Sequence, residues 1–150
     1  MGSPLRVLVG VDFSPESNAA VRAARDLVKR TNGELTLAHV RPYSDVRAAV
    51  AEERGDLLRR PSGGIARAMA EHYEKRLAKT LRPGTRESIR LLRGDPAREL
   101  CREAARGYDL LVTGTHGRGR TAAFLLGSTV QELLLRTPIP IVVVRPRRSP

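Results

Sequence analysis

The sequence predicts an α/β fold: a single doubly wound, five-stranded parallel sheet in the order 3-2-1-4-5, with helices on both faces. Two observations carry this expectation. Short apolar runs alternate with stretches whose apolar residues recur at helical spacing, giving β-α-β-α-β-α-β-α-β along the chain. The runs at 5–11 and 141–144 are almost continuously apolar, as strands covered on both faces are in parallel sheets. Right-handed crossovers then arrange that alternation as one sheet. At 150 residues the chain fits one domain, 1–150, because domains commonly run to about 100–150 residues.

The elements follow in order. Leu-Arg-Val-Leu-Val-Gly-Val at 5–11 is the first strand and ends at Asp12. Ser14 and Pro15 read as the N-cap and first position of a helix. That helix has Ala20, Ala23, Ala24, Leu27 and Val28 on one face and Asn32-Gly33 as its stop. Residues 34–40 form the second strand. A long polar connection over 41–64 leads to a second helix beginning near Ile65, with Met69, Tyr73 and Leu77 at four-residue steps. Residues 87–92 alternate polar and apolar, as a half-exposed edge strand does. Asp95-Pro96 opens a third helix with Ala97, Leu100, Cys101, Ala104 and Ala105 on its apolar face. A fourth strand is expected at 109–113 and a last helix at 128–135, stopped by Thr137-Pro138. The wholly apolar Ile141, Val142, Val143 and Val144 form the fifth strand, and a basic tail occupies 145–150.

Composition narrows the class. A hydrophobic fraction of 41% supports a real core, and aromatics at 3% leave Leu, Val, Ile and Ala to fill it. The lone cysteine, Cys101, rules out an internal disulfide framework and suits a reducing compartment. No apolar run reaches the roughly 20 residues that span a bilayer, and the apolar opening is too short for a signal-peptide core. The expected location is cytoplasmic. The net charge of +11, built from 27 Lys and Arg against 16 Asp and Glu, favours anionic partners. The dominance of Arg over Lys also follows from codon bias in a GC-rich genome, and composition alone does not separate the two.

Ligands of open α/β sheets bind beyond the carboxyl ends of the strands, where the strand order reverses. Asp12, ending the first strand, and Gly114, following the fourth, both fall there. Residues 114–128 read Gly-Thr-His-Gly-Arg-Gly-Arg-Thr-Ala-Ala-Phe-Leu-Leu-Gly-Ser. Glycines let backbone N–H groups approach an anion and turn through positive φ. Ser128 at a helix start would present N–H groups and the helix dipole to phosphate. Arg118 and Arg120 add charge beside it. No Walker sequence is present, and the first turn lacks a dinucleotide fingerprint. On residue chemistry alone the segment is either an anion cradle or a plain turn.

The spacing Gly114-x2-Gly117-x9-Gly127-Ser128 resembles the nucleotide-binding signature of universal stress proteins, G-x2-G-x9-G-(S/T). Val-Gly-Val-Asp-Phe-Ser at the start, Leu-Ala-His-Val in the second strand and Thr-Pro-Ile-Pro-Ile-Val-Val-Val-Arg-Pro at the end are also similar to that family, so the resemblance covers residues 5–146. It implies the branch that binds ATP, with Mg²⁺ carried by the nucleotide. Asp12 and Val40 would lie against adenine and ribose. Gly114, Gly117, Gly127 and Ser128 would hold ribose and phosphates, and Thr129 and Val130 would continue the wall. His116 and Arg118 stand between the matched glycines, and Gly10, Val11 and Thr113 complete the candidate contacts. Gly10 departs from the Pro or Ala common in the family, which leaves that turn's shape open.

The resulting expectation is an ATP-binding stress or signalling module that acts as a nucleotide sensor or carrier. At most it hydrolyses ATP slowly or phosphorylates itself, since phosphoryl transfer needs a group that orients the nucleophile and no general base beyond Asp12 is evident. The apolar fifth strand at a sheet edge calls for cover. Pairing with a second copy through Ile141, Val142, Val143 and Val144 would supply it, as in the family. Two alternatives remain: a dimer that binds a protein partner without nucleotide, and a basic nucleic-acid binder. The second lacks stacking aromatics and a recognition helix. His39, His72 and His116 share no metal-ligand spacing, and no protein metal site is expected. No downstream partner is named by the sequence.

Overall fold

The computed structural model describes residues 2–41, 63–116 and 126–146 (for 63–66, 69 and 70 the backbone alone). The expected sheet is present: five strands in the order β3-β2-β1-β4-β5, every neighbouring pair parallel. The strands are β1 Arg6–Gly10, β2 Glu34–Arg41, β3 Glu87–Arg93, β4 Leu110–Gly114 and β5 Ile141–Val144. Between them run α1 Pro15–Thr31, α2 Gly63–Leu81, α3 Pro96–Ala104 and α4 Ser128–Arg136. The order reverses between β1 and β4, which pair through Val7–Leu110, Leu8–Leu111 and Val9–Val112.

Strand parity divides the core in two. Val7, Val9, Leu35, Leu37 and Val112 point to one face, where Ala20, Ala24 and Val28 of α1 and Leu77 and Leu81 of α2 cover them. Leu8, Ala38 and Leu111 point to the other, against Ala97, Leu100 and Ala104 of α3 and Leu133 of α4. Burying the central strands on both faces is what makes their sequences read as continuous apolar runs. The edge strand β3, half-buried at alternate residues from Glu87 to Leu91, reads as alternation instead.

Local chemistry sets the helix ends. Ser14 caps α1: its Oγ accepts the Ser17 N–H at 3.1 Å, and Pro15 occupies the first helical position. Asn32 rather than Gly33 takes the left-handed turn that ends α1, at φ 53°. Asp95 caps α3, accepting the Arg98 N–H at 2.9 Å. The Arg25 guanidinium donates to both Glu87 oxygens at 2.9 and 2.8 Å and to the Leu81 carbonyl at 2.6 Å, tying α1 to the end of α2 and the start of β3.

Some boundaries differ from expectation. Leu5 and Val11 lie outside β1, and Gly114 is the last residue of β4, paired with Val144, rather than the first residue after it. The α2 helix begins at Gly63, ahead of the first apolar step at Ile65. Ala105 is the exposed C-cap of α3, not part of its apolar face. Cys101 is half-buried, and burial pushes its thiol pKa up, with Glu132 adding to the rise. Residues 42–62, most of the long polar connection, and the tail from 147 lie outside the described residues. Among the described residues no helix is long and apolar enough to cross a membrane.

Candidate functional site

The carboxyl ends of β1 and β4 meet at a turn built around Asp12. Its Oδ1 accepts the Ser14 N–H at 2.9 Å, and its own N–H donates to Ser17 Oγ at 3.3 Å. Phe13, spanned by this Asx turn, is held at φ 66°, a conformation costly for a bulky side chain. Its ring leans on His39, with centroids 5.1 Å apart. His39 Nδ1 lies 2.7 Å from the Val11 carbonyl. A carbonyl can only accept, so Nδ1 carries the proton of this bond.

Gly114 comes against the first turn of α1. A Cβ there would fall 2.7–2.8 Å from the carbonyl carbon, Cβ and oxygen of Glu16. Only a glycine lets β4 pass so close to the helix start. The reason for this glycine is therefore α1 itself, not positive φ. Gly127 departs from expectation in the same way, since its φ of −61° and ψ of 153° suit any residue.

The glycine-rich segment is closed at its base. Gly127 N–H donates to the Thr115 carbonyl at 2.9 Å, so the chain leaves β4 and returns at the same point before entering α4. Gly127 is the N-cap of α4 and supplies no side-chain acceptor. Gly127 therefore offers no side-chain cap to the first N–H groups of that helix, on Ser128, Thr129 and Val130. His116 Nδ1 lies 3.1 Å from Thr115 Oγ1.

The structure thus brings Asp12, Gly114, His116, Gly127 and Ser128 to one end of the sheet, around the β1–β4 junction. Ser128 is exposed, and Asp12, Val40, His116, Gly127 and Thr129 are half-buried. Val40 lies across β1 from β4, two residues beyond the Ala38–Gly10 pair. Val11, Thr113 and Val130 are buried, and a Cβ on Gly10 would lie 3.1 Å from Leu100 of α3. Those four shape the scaffold more than the surface of the crevice. Gly117 and Arg118 lie outside the described residues.

Sequence reasoning missed Phe13 and Thr115. An aromatic between Asp12 and Ser14 in a chain with so few aromatics was the available signal for the first. The second acts through a backbone carbonyl, which residue type does not disclose.

A cavity of about 470 Å³ opens at the opposite, amino-terminal end of β1, β2 and β3, lined in part by Arg6, Glu34, Arg86, Glu87, Arg90 and Tyr108. Its arginines are already engaged: Arg6 with the Gly107 carbonyl, Arg86 with Asn32 and Arg90 with Glu103. It lies away from the end of an open α/β sheet where ligands bind. Among the described residues no three His, Cys, Asp or Glu side chains are grouped to hold a metal ion.

The sequence profile described as Universal stress protein family matches residues 5–145. The chain belongs to the universal stress protein family. A universal stress protein of Mycolicibacterium smegmatis is 34% identical over 151 residues, covering 97% of this chain and 47% of the relative. The chain thus spans about half the length of that relative. The Bacillus subtilis stress response protein NhaX is 26% identical over 161 residues, covering 93% of this chain and 97% of NhaX. Among solved structures, a universal stress protein in complex with cAMP shares 23% identity at a TM-score of 0.59, covering 97% of this chain and all of that one. At that identity the likeness is one of fold. Within this universal stress protein the signature residues Gly114, Gly127 and Ser128 are therefore positioned by the β4 end and the α4 start.

Proposed function

We propose that this universal stress protein is a single cytoplasmic domain, 1–150, that binds an adenine nucleotide, ATP with its Mg²⁺, and serves as a nucleotide-dependent stress or signalling module. The observation that carries the reading is the closed base of the glycine-rich segment. The Gly127–Thr115 hydrogen bond holds the start of α4, where Gly127 supplies no side-chain cap, beside the β1–β4 junction. Free N–H groups and the positive end of a helix dipole suit phosphate oxygens. The related protein solved with cAMP supports the choice of an adenine nucleotide.

In this reading the N–H groups of Ser128, Thr129 and Val130, with Ser128 Oγ, receive phosphate. Gly114, Gly117 and Gly127 allow close approach, His116 and Arg118 border the phosphates, and Asp12 and Val40 lie against ribose and adenine. Thr113, Val11 and Gly10 support that wall. A bound Mg²⁺–nucleotide would supply charge neutralisation between phosphates. Asp12 Oδ1 already accepts a backbone N–H, which favours a sensor or carrier with at most slow hydrolysis. The exposed Leu134 and Leu135 of α4 and the exposed Val142 of the edge strand β5 favour a homodimer formed through Ile141, Val142, Val143 and Val144.

The test is whether nucleotide co-purifies, followed by titration with ATP, ADP, AMP and duplex DNA at physiological salt. ATP should saturate, and Gly127→Leu should abolish that binding while leaving the unfolding temperature close to wild type. DNA binding that survives high salt while ATP fails to bind would reverse the conclusion.

A further inference from the structure

We propose that Arg41 forms an oxyanion subsite at the carboxyl end of β2, taking a carboxylate or a phosphate monoester on the Nε–Nη2 edge of its guanidinium. Arg41 is only 6% exposed, and both Nε and Nη2 are sealed from solvent without a hydrogen-bond partner. Among the described residues these are the sole buried side-chain polar atoms left in that state. Buried donors in folded proteins nearly always have acceptors. Guanidinium cannot relieve the shortage by losing its proton.

The surroundings hold the group in place. The guanidinium carbon sits 3.8 Å from the centre of the Tyr73 ring. Stacking satisfies a face of the cation but none of its N–H groups. Tyr73 is itself stacked on His39, 6.5 Å away at 17°, and the Phe13 ring meets the other end of this row at a 54° tilt to His39. The Arg41 carbonyl accepts the Gly94 N–H at 2.9 Å, and the residue pairs with Arg93 in β3. With backbone and ring face both fixed, the Nε–Nη2 edge of the guanidinium is left buried without an acceptor. Nε–H and Nη2–H on that edge are parallel and match two oxygens of a single carboxylate or phosphate.

The subsite lies on the α2 side of the sheet, across β1 from the glycine-rich segment, and does not rest on the nucleotide reading.

The test follows the Nε–H resonance of Arg41 by ¹⁵N NMR, assigned by its loss in Arg41→Lys. Acetate and inorganic phosphate are titrated separately against chloride at constant ionic strength. A saturating shift with either anion is expected, and the tighter of the two identifies carboxylate or phosphate as the ligand class. Failure of both to saturate overturns the proposal. In Arg41→Lys, which keeps a cation over Tyr73 but loses the paired donors, affinity for that anion measured calorimetrically should fall roughly 10- to 100-fold. Unchanged affinity would equally overturn it. ATP binding retained in Arg41→Lys but lost in Gly127→Leu reports on the β1–β4 junction separately, so either site can fail alone.

Discussion

At the scale of single residues, two signature glycines answer to different constraints. Gly114 is required by the backbone of Glu16, less than 3 Å from where a Cβ would sit. Gly114→Ala should therefore lower stability by about 1–3 kcal/mol, the usual cost of overpacking, seen as a lower unfolding temperature with or without nucleotide. An unchanged unfolding temperature would show that α1 moves aside freely. Gly127, at an ordinary φ and ψ, is the position at which a substitution tests the proposed binding with little cost to the fold. The spacing of these residues was legible in the sequence, but the reason for Gly114 was not, because it depends on a helix start 98 positions away in the chain. Phe13 was also hidden, since a left-handed φ at an aromatic arises from the Asp12–Ser14 turn and not from residue preference. Cys101 yields a further expectation. Burial raises its thiol pKa, so alkylation at neutral pH should run more slowly than for a free cysteine, and denaturant should restore the rate.

At the scale of elements, the strands and helices were legible because their periodicities are strong, and the caps Ser14 and Asp95 fell where residue chemistry placed them. The long-range ties were not. Nothing in a linear reading pairs Arg25 of α1 with Glu87 of β3, 62 residues apart. Burial alone would raise the Glu87 pKa, but hydrogen bonds from Arg25 and the Gly84 backbone, with the charge of Arg25, outweigh it and the pKa is lowered. A carboxylate with a lowered folded pKa stabilises the fold fully above its unfolded pKa, about 4.3. That contribution is lost as pH falls through the lower folded value. Glu87→Gln should therefore cost about 1 kcal/mol at neutral pH, a modest figure because Arg25 is partly exposed. The two proteins should converge in denaturant stability at strongly acidic pH, and a constant difference across pH would refute the assignment.

At the scale of the whole molecule, the sheet order and its reversal between β1 and β4 were legible because a parallel sheet with right-handed crossovers leaves few topologies. What the sequence pattern did not disclose is the 470 Å³ cavity at the amino-terminal end, opposite the candidate site residues. The edge β5 and the exposed Leu135, at 86%, suggest a second copy as cover. Leu135→Glu or Val142→Lys should shift a dimer toward monomer in light scattering at micromolar concentration, and a wild-type monomer would contradict that arrangement. The net charge of +11 should give only weak DNA association that disappears as salt is raised. The central claim is that the β1–β4 crevice holds an adenine nucleotide, and calorimetric titration of the wild-type protein with Mg²⁺–ATP at physiological salt tests it most directly. Saturable binding near one nucleotide per chain, lost in a folded Gly127→Leu variant, is the predicted result; a folded wild-type protein that shows no saturable binding of ATP, ADP or AMP would contradict it.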